Sequence, residues 1–365
     1  MQVLHVVGAR PNFMKAAPVI AALSKRGMAQ TLVHTGQHYD ANMSEIFFHQ
    51  LGMPKPDVNL EVGSASHAVQ TAEVMVRLEK VVLERQPKWV VVYGDVNSTM
   101  AAALVCAKLR VRVAHVEAGL RSGDRSMPEE INRLVTDQIA DLLFTPSIDG
   151  NENLAREGVN PAKVHPVGNV MIDTLVRLLP LSLERQGQGD ASRWRDRRYT
   201  LVTLHRPSNV DDPALLGDII NVLVELSAEV PVLFPIHPRT RKQIEHLAMP
   251  GATGNLHFLA PLGYMEFLAL QSKAALVITD SGGIQEETTY LGIPCLTVRE
   301  NTERPVTVSM GTNILVGQDS NRLRDEARRI LRGGAKKGTI PPLWDGKASE
   351  RIAEVLARDT SEGSP

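Results

Sequence analysis

Short, near-continuously apolar runs rich in β-branched residues alternate with longer amphipathic segments along this chain. In the first half, the predicted strands are Val3–Val7, Thr31–Thr35, Trp89–Tyr93, Val111–Val116, Leu142–Thr145 and Val164–Val167. The predicted helices between them are Pro11–Lys25, His67–Arg85, Ser98–Leu109, Pro128–Ala140 and Ile148–Arg156. Continuously apolar strands are typical of a sheet with helices on both faces. The alternation therefore predicts βαβ units and a doubly wound parallel sheet.

The same alternation starts again after a polar stretch. Residues 171–198 lose the pattern, and "SLERQGQGDASRWRDRR" has the composition of a linker. The second set of predicted strands is Thr200–Leu204, Val232–Ile236, Leu256–Leu259, Ala275–Thr279, Cys295–Val298 and Asn313–Val316. We predict two open α/β domains, residues 1–170 and 171–347, which face each other across a cleft. A last helix, 348–358, is placed to pack back on the first domain.

Charge and composition exclude several classes of partner. The formal net charge is −1, from 40 basic and 41 acidic residues, which argues against nucleic-acid binding and electrostatic membrane anchoring. No apolar run approaches the ~20 residues of a membrane span, and the first residues lack a signal-peptide profile. Cys106 and Cys295 lie in apolar sequence and cannot build a disulfide framework. We expect a cytoplasmic protein.

Ligands of open α/β sheets bind at the carboxyl ends of the strands, so the residues after each strand are informative. After the first predicted strand, "GARPNFMK" places Arg10 and Lys15 around a helix entrance with a proline in its first turn. Such an entrance binds anions. The chain has no GxGxxG fingerprint, so we expect no dinucleotide cofactor. We also expect no metal ion, because "HVE" lacks the PCxxC partner of zinc deaminases.

Carboxylates follow two neighbouring strands of the first predicted domain. Asp95 and Glu117 come after Trp89–Tyr93 and Val111–Val116, and Glu129 and Glu130 begin the next predicted helix. Structural roles stay open, because Asp95 suits a turn and acidic residues suit a helix entrance. Glu117, however, needs a partner beside a buried strand. Carboxylates gathered at one sheet edge predict acid–base chemistry with shifted pKa values.

Two strand ends of the second predicted domain carry a histidine and an arginine each. "TLHRPSN" supplies His205 and Arg206, and "PIHPRT" supplies His237 and Arg239. A single histidine there would favour a structural role. The repeated pair of residue types favours an anionic ligand.

The stretch "TDSGGIQEE" (279–287) joins a predicted strand to a predicted helix. Gly282 and Gly283 allow close approach of the backbone, and the helix N–H groups and the Ser281 hydroxyl suit phosphate oxygens. A glutamate one turn further can accept hydrogen bonds from a ribose diol. The pattern favours a nucleoside diphosphate, although glutamates that merely offset the helix dipole would look similar.

Eight motifs together resemble one family. They are "VGARPNFMK", "TGQHYD", "YGDVNST", "HVEAGLRSGDRSMPEEINR", "TLHRPSN", "HPRT", "DSGGIQEE" and "NTERP", in order from Val7 to about Gly317. The chain is similar in these motifs to the non-hydrolysing UDP-N-acetylglucosamine 2-epimerases. The resemblance implies two Rossmann-like domains in a GT-B architecture, a UDP-sugar substrate held mainly by the second domain, and a homodimer.

The resemblance also implies roles for individual residues. Around the sugar and the phosphate–sugar junction it implies catalytic roles for Asp95, Glu117, Glu129 and His205. For substrate binding it implies Arg10, Lys15, His237, Ser281, Gly282, Gly283, Glu287 for the ribose, and Arg304. The spacing between "GLRSGD" and "PEEINR" is shorter than in some members, which leaves Glu129 and Glu130 both open; we choose Glu129.

The chemistry of a 2-epimerase narrows the mechanism. Carbon 2 of the hexose is not next to a carbonyl, so simple deprotonation is difficult. Without a nicotinamide fingerprint, we favour elimination of UDP to a glycal and re-addition over transient oxidation. A GT-B glycosyltransferase, a hydrolysing 2-epimerase, a UDP-sugar sensor and an epimerase for a diacetamido uronic acid sugar remain alternatives. "NTERP" favours plain UDP-N-acetylglucosamine.

Overall fold

The computed structural model describes residues 2–36, 48, 50–185, 193–194, 196–236, 238–245 and 254–361. The chain forms two compact units. The first contains Met1–Thr174 and Pro342–Pro365, and the second contains Leu175–Pro341. The first unit is therefore built from both ends of the chain.

In the described part of the first unit, seven parallel strands form one sheet. They are β1 Gln2–Val7, β2 Ala29–His34, β3 Val58–Asn59, β4 Trp89–Tyr93, β5 Arg112–Val116, β6 Leu142–Thr145 and β7 Val164–Pro166. Their order is β3-β2-β1-β4-β5-β6-β7. The strand order reverses between β1 and β4, which makes their carboxyl ends the topological switch point of this sheet.

The second unit repeats this arrangement. In its described part, six parallel strands lie in the order β10-β9-β8-β11-β12-β13. They are β8 Thr200–Thr203, β9 Val232–Pro235, β10 Leu256–Leu259, β11 Leu276–Thr279, β12 Cys295–Thr297 and β13 Asn313–Leu315. The switch point lies between β8 and β11. The prediction of two Rossmann-like doubly wound domains is confirmed.

Helices follow most of the strands. In the described residues they are α1 Arg10–Lys25, α2 His67–Arg85, α3 Asn97–Lys108, α4 Pro128–Ile139, α5 Ile148–Arg156, α6 Val170–Arg185, α7 Pro207–Val210, α8 Pro213–Ser227, α9 Pro238–Glu245, α10 Tyr264–Gln271, α11 Gly282–Leu291, α12 Pro305–Ser309, α13 Ser320–Arg329 and α14 Ala348–Ser361. The C-terminal helix α14 packs against α1. Its entrance is anchored by Asp173, whose carboxylate accepts from the N–H groups of Ala348 (3.1 Å) and Ser349 (2.7 Å).

The cores consist of the apolar faces of the strands and helices. Val90 and Val92 of β4 and Leu143 of β6 are wholly buried in the first unit. Val202 of β8 and Ile278 of β11 are wholly buried in the second. Burial on both sheet faces explains why the strands read as continuous apolar runs.

The expectation that regular structure is lost from residue 171 is wrong, because α6 continues to Arg185. Buried residues recur at helical spacing along it, at Met171, Leu175 and Leu178. Pro180 lies inside this helix on an exposed position. The periodicity of the buried face outweighs this helix-breaking residue. The remaining predicted linker residues 186–192 and 195 lie outside the described part.

Trp194 corrects the interpretation of the stretch that ends in "RWRDRR" as a linker. Its side chain is 3% exposed and packs against the rings of Tyr199 and His257, 6.4 Å and 4.8 Å between centroids. The guanidinium of Arg193 lies 5.1 Å from the centre of the indole ring. Burial of one large aromatic ring therefore outweighs the polarity of its neighbours.

Candidate functional site

Asn12 joins the two strand ends at the switch point of the first unit. Its Oδ1 accepts from the N–H groups of Gly8 (3.1 Å) and Ala9 (3.0 Å), directly after β1. Its Nδ2 donates to the carbonyl of Tyr93, the last residue of β4, at 2.8 Å. One buried amide therefore fixes the helix entrance that carries Arg10. Sequence reasoning passed over Asn12, although it lies within the "GARPNFMK" motif.

Glu117 has the buried partner that its position demands. It follows β5, is 5% exposed, and forms an ion pair with Lys15, which is also 5% exposed. Its φ of +74° is in the left-handed region, which a non-glycine residue adopts at an energetic cost. Gly94 leaves room for the pair, because a Cβ there would lie 2.7 Å from Lys15 Nζ. Lys15, for which the resemblance implies substrate binding, thus lies against Glu117.

Asp95 is held by a buried guanidinium. Arg133 Nε and Nη2 lie 3.0 Å and 2.5 Å from Asp95 Oδ2, and its Nη1 lies 2.7 Å from Glu130 Oε2. Arg133 is 2% exposed. The planar fork of arginine can bond two carboxylates at once in this way. The structure thus brings Asp95 and Glu130 together through Arg133.

Glu129 and Glu130, which the sequence left open, lie in different surroundings. Glu130 is 2% exposed, and its carboxylate accepts from the N–H groups of Ser122 (3.0 Å) and Gly123 (2.9 Å). Glu129 is exposed on the first turn of α4. The bonds of Glu130 hold the preceding loop, which favours a structural role for this residue. The choice of Glu129 for the reaction stays a prediction.

Asp280 organises the switch point of the second unit. This wholly buried residue follows β11, and its carboxylate accepts from the N–H groups of His205 (3.0 Å) and Arg206 (2.8 Å) and from Asn209 Nδ2 (3.1 Å). Burial raises the pKa of Asp280, but hydrogen bonds and the His205 charge outweigh burial and hold that pKa below its usual value. Asp280 is therefore a carboxylate at neutral pH.

His205 is oriented by this carboxylate. Its Nδ1 lies 2.8 Å from Asp280 Oδ1, while its side chain is 54% exposed. A ring whose Nδ1–H donates to a carboxylate presents Nε2 to a ligand. Sequence reasoning gave Asp280 no role. The sequence feature that could have indicated this role is an aspartate directly before "SGG", at the end of β11, which pairs with β8.

The helix entrance at Ser281 is closed on one side by Arg304. Ser281 is the N-cap residue of α11, and its side chain forms no capping bond with the described residues. A Cβ on Gly282 would clash with Arg304 Nη1, so this glycine allows close approach of the arginine. Gly283 follows in the first turn. "DSGGIQEE" and "NTERP" are thus brought together.

Arg304 distinguishes the two adjacent glutamates of α11. Its Nε lies 2.8 Å from Glu286 Oε1, and its Nη1 lies 2.6 Å from Glu303 Oε1. Arg304 is 7% exposed. Glu286 therefore serves a buried ion pair, and Glu287 is left for another role.

Glu287 is a buried carboxyl group with one occupied oxygen. It is 2% exposed, and Oε1 accepts from the Tyr264 hydroxyl at 2.8 Å. Within the described part of the chain, Oε2 makes no hydrogen bond of ordinary geometry. Burial raises the pKa of Glu287 to about 7, against the opposing effects of the Tyr264 hydroxyl and the nearby Gln271 side chain. An open acceptor in a buried site suits a ligand that brings hydroxyl donors.

The contacts described above do not include two of the predicted site residues, His237 and Arg10. His237 lies outside the described residues, and Arg10 is exposed at the start of α1. No cluster of histidine, cysteine or acidic side chains suited to a metal ion occurs among the residues that the structure describes. No helix within those residues is long and apolar enough to cross a membrane.

The fold and the site residues together define a class of protein. Its members have two Rossmann-like units, with buried carboxylates at the switch point of one unit. The switch point of the other unit carries an oriented histidine and a helix N-terminus suited to phosphate. A sequence model of one family, described as UDP-N-acetylglucosamine 2-epimerase, matches residues 21–357. The chain belongs to the UDP-N-acetylglucosamine 2-epimerase family. The family and the enzyme class inferred from the motifs are confirmed.

Individual relatives match over nearly their whole length. The UDP-N-acetylglucosamine 2-epimerase of Methanocaldococcus jannaschii is 41% identical, with 98% of this chain and 99% of the relative covered. The UDP-2,3-diacetamido-2,3-dideoxy-D-glucuronate 2-epimerase of Pseudomonas aeruginosa is 42% identical, with 98% and 100% covered. The crystal structure of the Methanocaldococcus jannaschii enzyme with UDP-GlcNAc and UDP has a TM-score of 0.88 at 40% identity, with 98% and 100% covered.

Proposed function

We propose that this enzyme interconverts UDP-N-acetylglucosamine and UDP-N-acetylmannosamine at carbon 2 of the hexose. The observation that carries the proposal is the pair of carboxylates at neighbouring strand ends, Asp95 against Arg133 and Glu117 against Lys15. Its support from relatives is the full-length similarity to the Methanocaldococcus jannaschii enzyme, whose crystal structure contains UDP-GlcNAc and UDP.

The reaction runs through loss and return of UDP. In the first half, the proton on carbon 2 is removed, and the electron pair of the broken C2–H bond forms the C1=C2 double bond. The C1–O bond breaks at the same time, and its electron pair leaves with UDP. In the second half, a proton adds to the other face of carbon 2 and the UDP oxygen bonds carbon 1 again. No oxidant is consumed.

The first unit supplies the groups that move protons. Asp95, Glu117 and Glu129 are assigned to the proton on carbon 2, as general acids and bases. Lys15 compensates the buried negative charge of Glu117, and Arg133 does the same for Asp95. These pairings hold both carboxylates in fixed positions.

The second unit is assigned to the nucleotide. His205, oriented by Asp280, and the helix entrance at Ser281 stabilise the departing diphosphate, together with Arg10 of the first unit. Glu287 accepts hydrogen bonds from the ribose hydroxyls through its open oxygen. The nucleotide contacts assigned to His237, Gly283 and Arg304 belong to the same proposal.

An NMR time course in deuterated water with UDP-N-acetylglucosamine alone tests this function. We expect UDP-N-acetylmannosamine with deuterium at carbon 2, and traces of glycal and UDP. Epimer formed without an acceptor sugar excludes a glycosyltransferase, and free N-acetylmannosamine would indicate the hydrolysing reaction. Protium retained at carbon 2, together with tight NAD binding, would replace elimination by oxidation.

A second substrate is favoured by one observation, the 42% identity with the diacetamido uronate epimerase. The same NMR assay with the UDP-diacetamido uronic acid sugar compares kcat/KM for the two substrates. A larger kcat/KM for the uronic acid would reassign the substrate and keep the elimination mechanism.

We further propose that two copies of the chain associate. Val69, Val76 and Leu83 on α2 are 53%, 58% and 59% exposed and are seven residues apart, so they form one apolar line. Light scattering should give a dimer mass for the protein and a monomer mass for Val76→Glu. Ile148→Glu, at an equally exposed position on α5, should stay dimeric. A monomeric unmodified protein would reject this part of the proposal.

A cytoplasmic location completes the proposal. Its support is that Cys106 and Cys295 are both buried free thiols, as in proteins of reducing compartments. Cell fractionation tests it, and recovery of the protein in an extracytoplasmic fraction would contradict it.

A further inference from the structure

We infer that the buried polar face of α4, formed by Glu130, Arg133 and Asp137, positions the loops that carry Asp95 and Glu117. These three residues are three and four positions apart, so they lie on one face of the helix. Each is at most 2% exposed. The inference rests on the proposed function, because it assigns these residues to the support of its acid–base groups.

The first contact of this polar face is with Asp95. Two nitrogens of Arg133 bond Asp95 Oδ2, and the third bonds Glu130. Asn132, also on α4, donates from Nδ2 to the Asp95 carbonyl at 2.8 Å. Both the side chain and the backbone of Asp95 are therefore fixed from α4. A lysine at position 133 would keep the charge but lose the fork geometry.

The second contact is made by one carboxylate that reaches two loops. Asp137 Oδ1 lies 2.6 Å from His115 Nδ1, and His115 Nε2 lies 2.7 Å from the Gly94 carbonyl, next to Asp95. Asp137 Oδ2 accepts from the Gly119 N–H at 3.0 Å and pairs with Arg121 Nη1 at 2.7 Å. The loops after β4 and β5 are thus held by the same group.

The charge of Asp137 is secured by its neighbours. Burial raises the pKa of this carboxyl group, but the adjacent His115 and Arg121 outweigh burial and hold the pKa below its usual value. A carboxylate that is ionised over the working pH range can hold both loops without titrating.

The backbone of these loops needs such support. Gly94, Glu117 and Gly119 have φ values of +63°, +74° and +82°, all in the left-handed region. A glutamate persists there only where the surrounding structure fixes it. Asp137 of α4 reaches the Gly94 carbonyl, directly before Asp95, through His115. It reaches the N–H of Gly119, two positions after Glu117, directly. Positioning of reactive groups, rather than packing alone, explains why the polar face is directed at these turns.

Arg133→Lys and Asp137→Asn test the inference. We expect kcat to fall about 100-fold in each, the loss typical of a displacement of about 1 Å, with the KM for the UDP-sugar nearly unchanged. Glu225→Gln is the control, because Glu225 pairs with Arg324 (2.8 Å) in the second unit, in neither of these loops. It should keep the kcat of the unmodified enzyme.

Hydrogen–deuterium exchange provides a readout that does not depend on the substrate. Peptides covering residues 94–97 and 117–123 should exchange faster in Arg133→Lys and Asp137→Asn, and peptides of the second unit should not change. Unchanged exchange with unchanged kcat would overturn the inference. Absence of turnover in the unmodified enzyme would instead reject the proposed substrate, and exchange alone would then decide. If Asp137→Asn does not fold, Arg133→Lys decides.

Discussion

His205 and Asp280 form a hydrogen-bonded pair at the ends of two neighbouring strands, with 2.8 Å between His205 Nδ1 and Asp280 Oδ1. The carboxylate is wholly buried, and the imidazole is about half exposed. A buried carboxylate behind an accessible histidine fixes the ring orientation and the protonated nitrogen, as the third member of a catalytic triad does. The pair therefore makes Asp280 a positioning residue for His205.

Asp280→Asn should lower kcat by about 100-fold or more. The amide can no longer hold Nδ1–H by its charge, so the ring turns and its Nε2 leaves the departing diphosphate. Steady-state kinetics and a melting curve measure the effect. Asp319→Asn, which replaces the N-cap of α13 in the same unit, should leave kcat unchanged. An Asp280→Asn enzyme with normal kcat would show that His205 needs no orientation.

Glu129→Gln and Glu130→Gln should have opposite effects. Glu129 is exposed, so Glu129→Gln should abolish most of kcat while the melting temperature stays the same. Glu130 holds two loop N–H groups and Arg133, so Glu130→Gln should cost about 2 kcal/mol of unfolding free energy. Kinetics and denaturant unfolding separate the two. Full activity of Glu129→Gln would move the catalytic role away from this residue.

The fold was predictable because its signals are local. Predicted and observed bounds agree for Trp89–Tyr93, Leu142–Thr145, His67–Arg85 and Ile148–Arg156. Each is a periodic or continuous apolar run bounded by turn residues or prolines. The prediction for residues 171–185 was wrong because a proline and polar neighbours obscured the helical periodicity of the buried face of α6.

The candidate site was less predictable because its contacts are remote in sequence. Glu117 and its partner Lys15 are 102 positions apart, and His205 and Asp280 are 75 positions apart. The sequence predicts that Glu117 needs a partner, but it does not indicate that this partner is Lys15. Pairing of β8 with β11 is what brings Asp280 to His205. Position along the chain alone gives no such information.

Gly94→Ala should lower kcat through the Lys15–Glu117 pair. A Cβ at position 94 would lie 2.7 Å from Lys15 Nζ and 3.2 Å from Glu117 Oε2, so the pair must move. Gly27→Ala is the control, because Gly27 has a similar φ of +68° and no atom within 4 Å of an added Cβ. Both variants should lose about 1 kcal/mol of stability from the left-handed backbone. Equal kcat in the two variants would contradict the prediction.

Gly282→Ala should weaken UDP binding about tenfold, which corresponds to about 1.4 kcal/mol. The added Cβ would displace the guanidinium of Arg304 and lie 3.1 Å from Glu303 Oε1, which opens the helix entrance. Calorimetric titration with UDP measures the affinity. Gly217→Ala, inside α8 with no neighbour within 4 Å of the new Cβ, should keep the affinity and gain about 0.5–1 kcal/mol of stability. Equal UDP affinities in the two variants would remove Gly282 from the nucleotide site.

Uridine binding should strengthen as the pH rises from 6 to 8. The pKa of Glu287 is raised to about 7, so most of this carboxyl group is protonated at pH 6 and ionised at pH 8. Ribose hydroxyls donate to the ionised form, and only that fraction of the protein binds well. The dissociation constant should therefore fall about tenfold over this interval. Uridine is the probe because it has no phosphate that titrates in the same range. Glu287→Gln should bind uridine equally at both pH values, and a pH dependence that survives in this variant would assign it to another group.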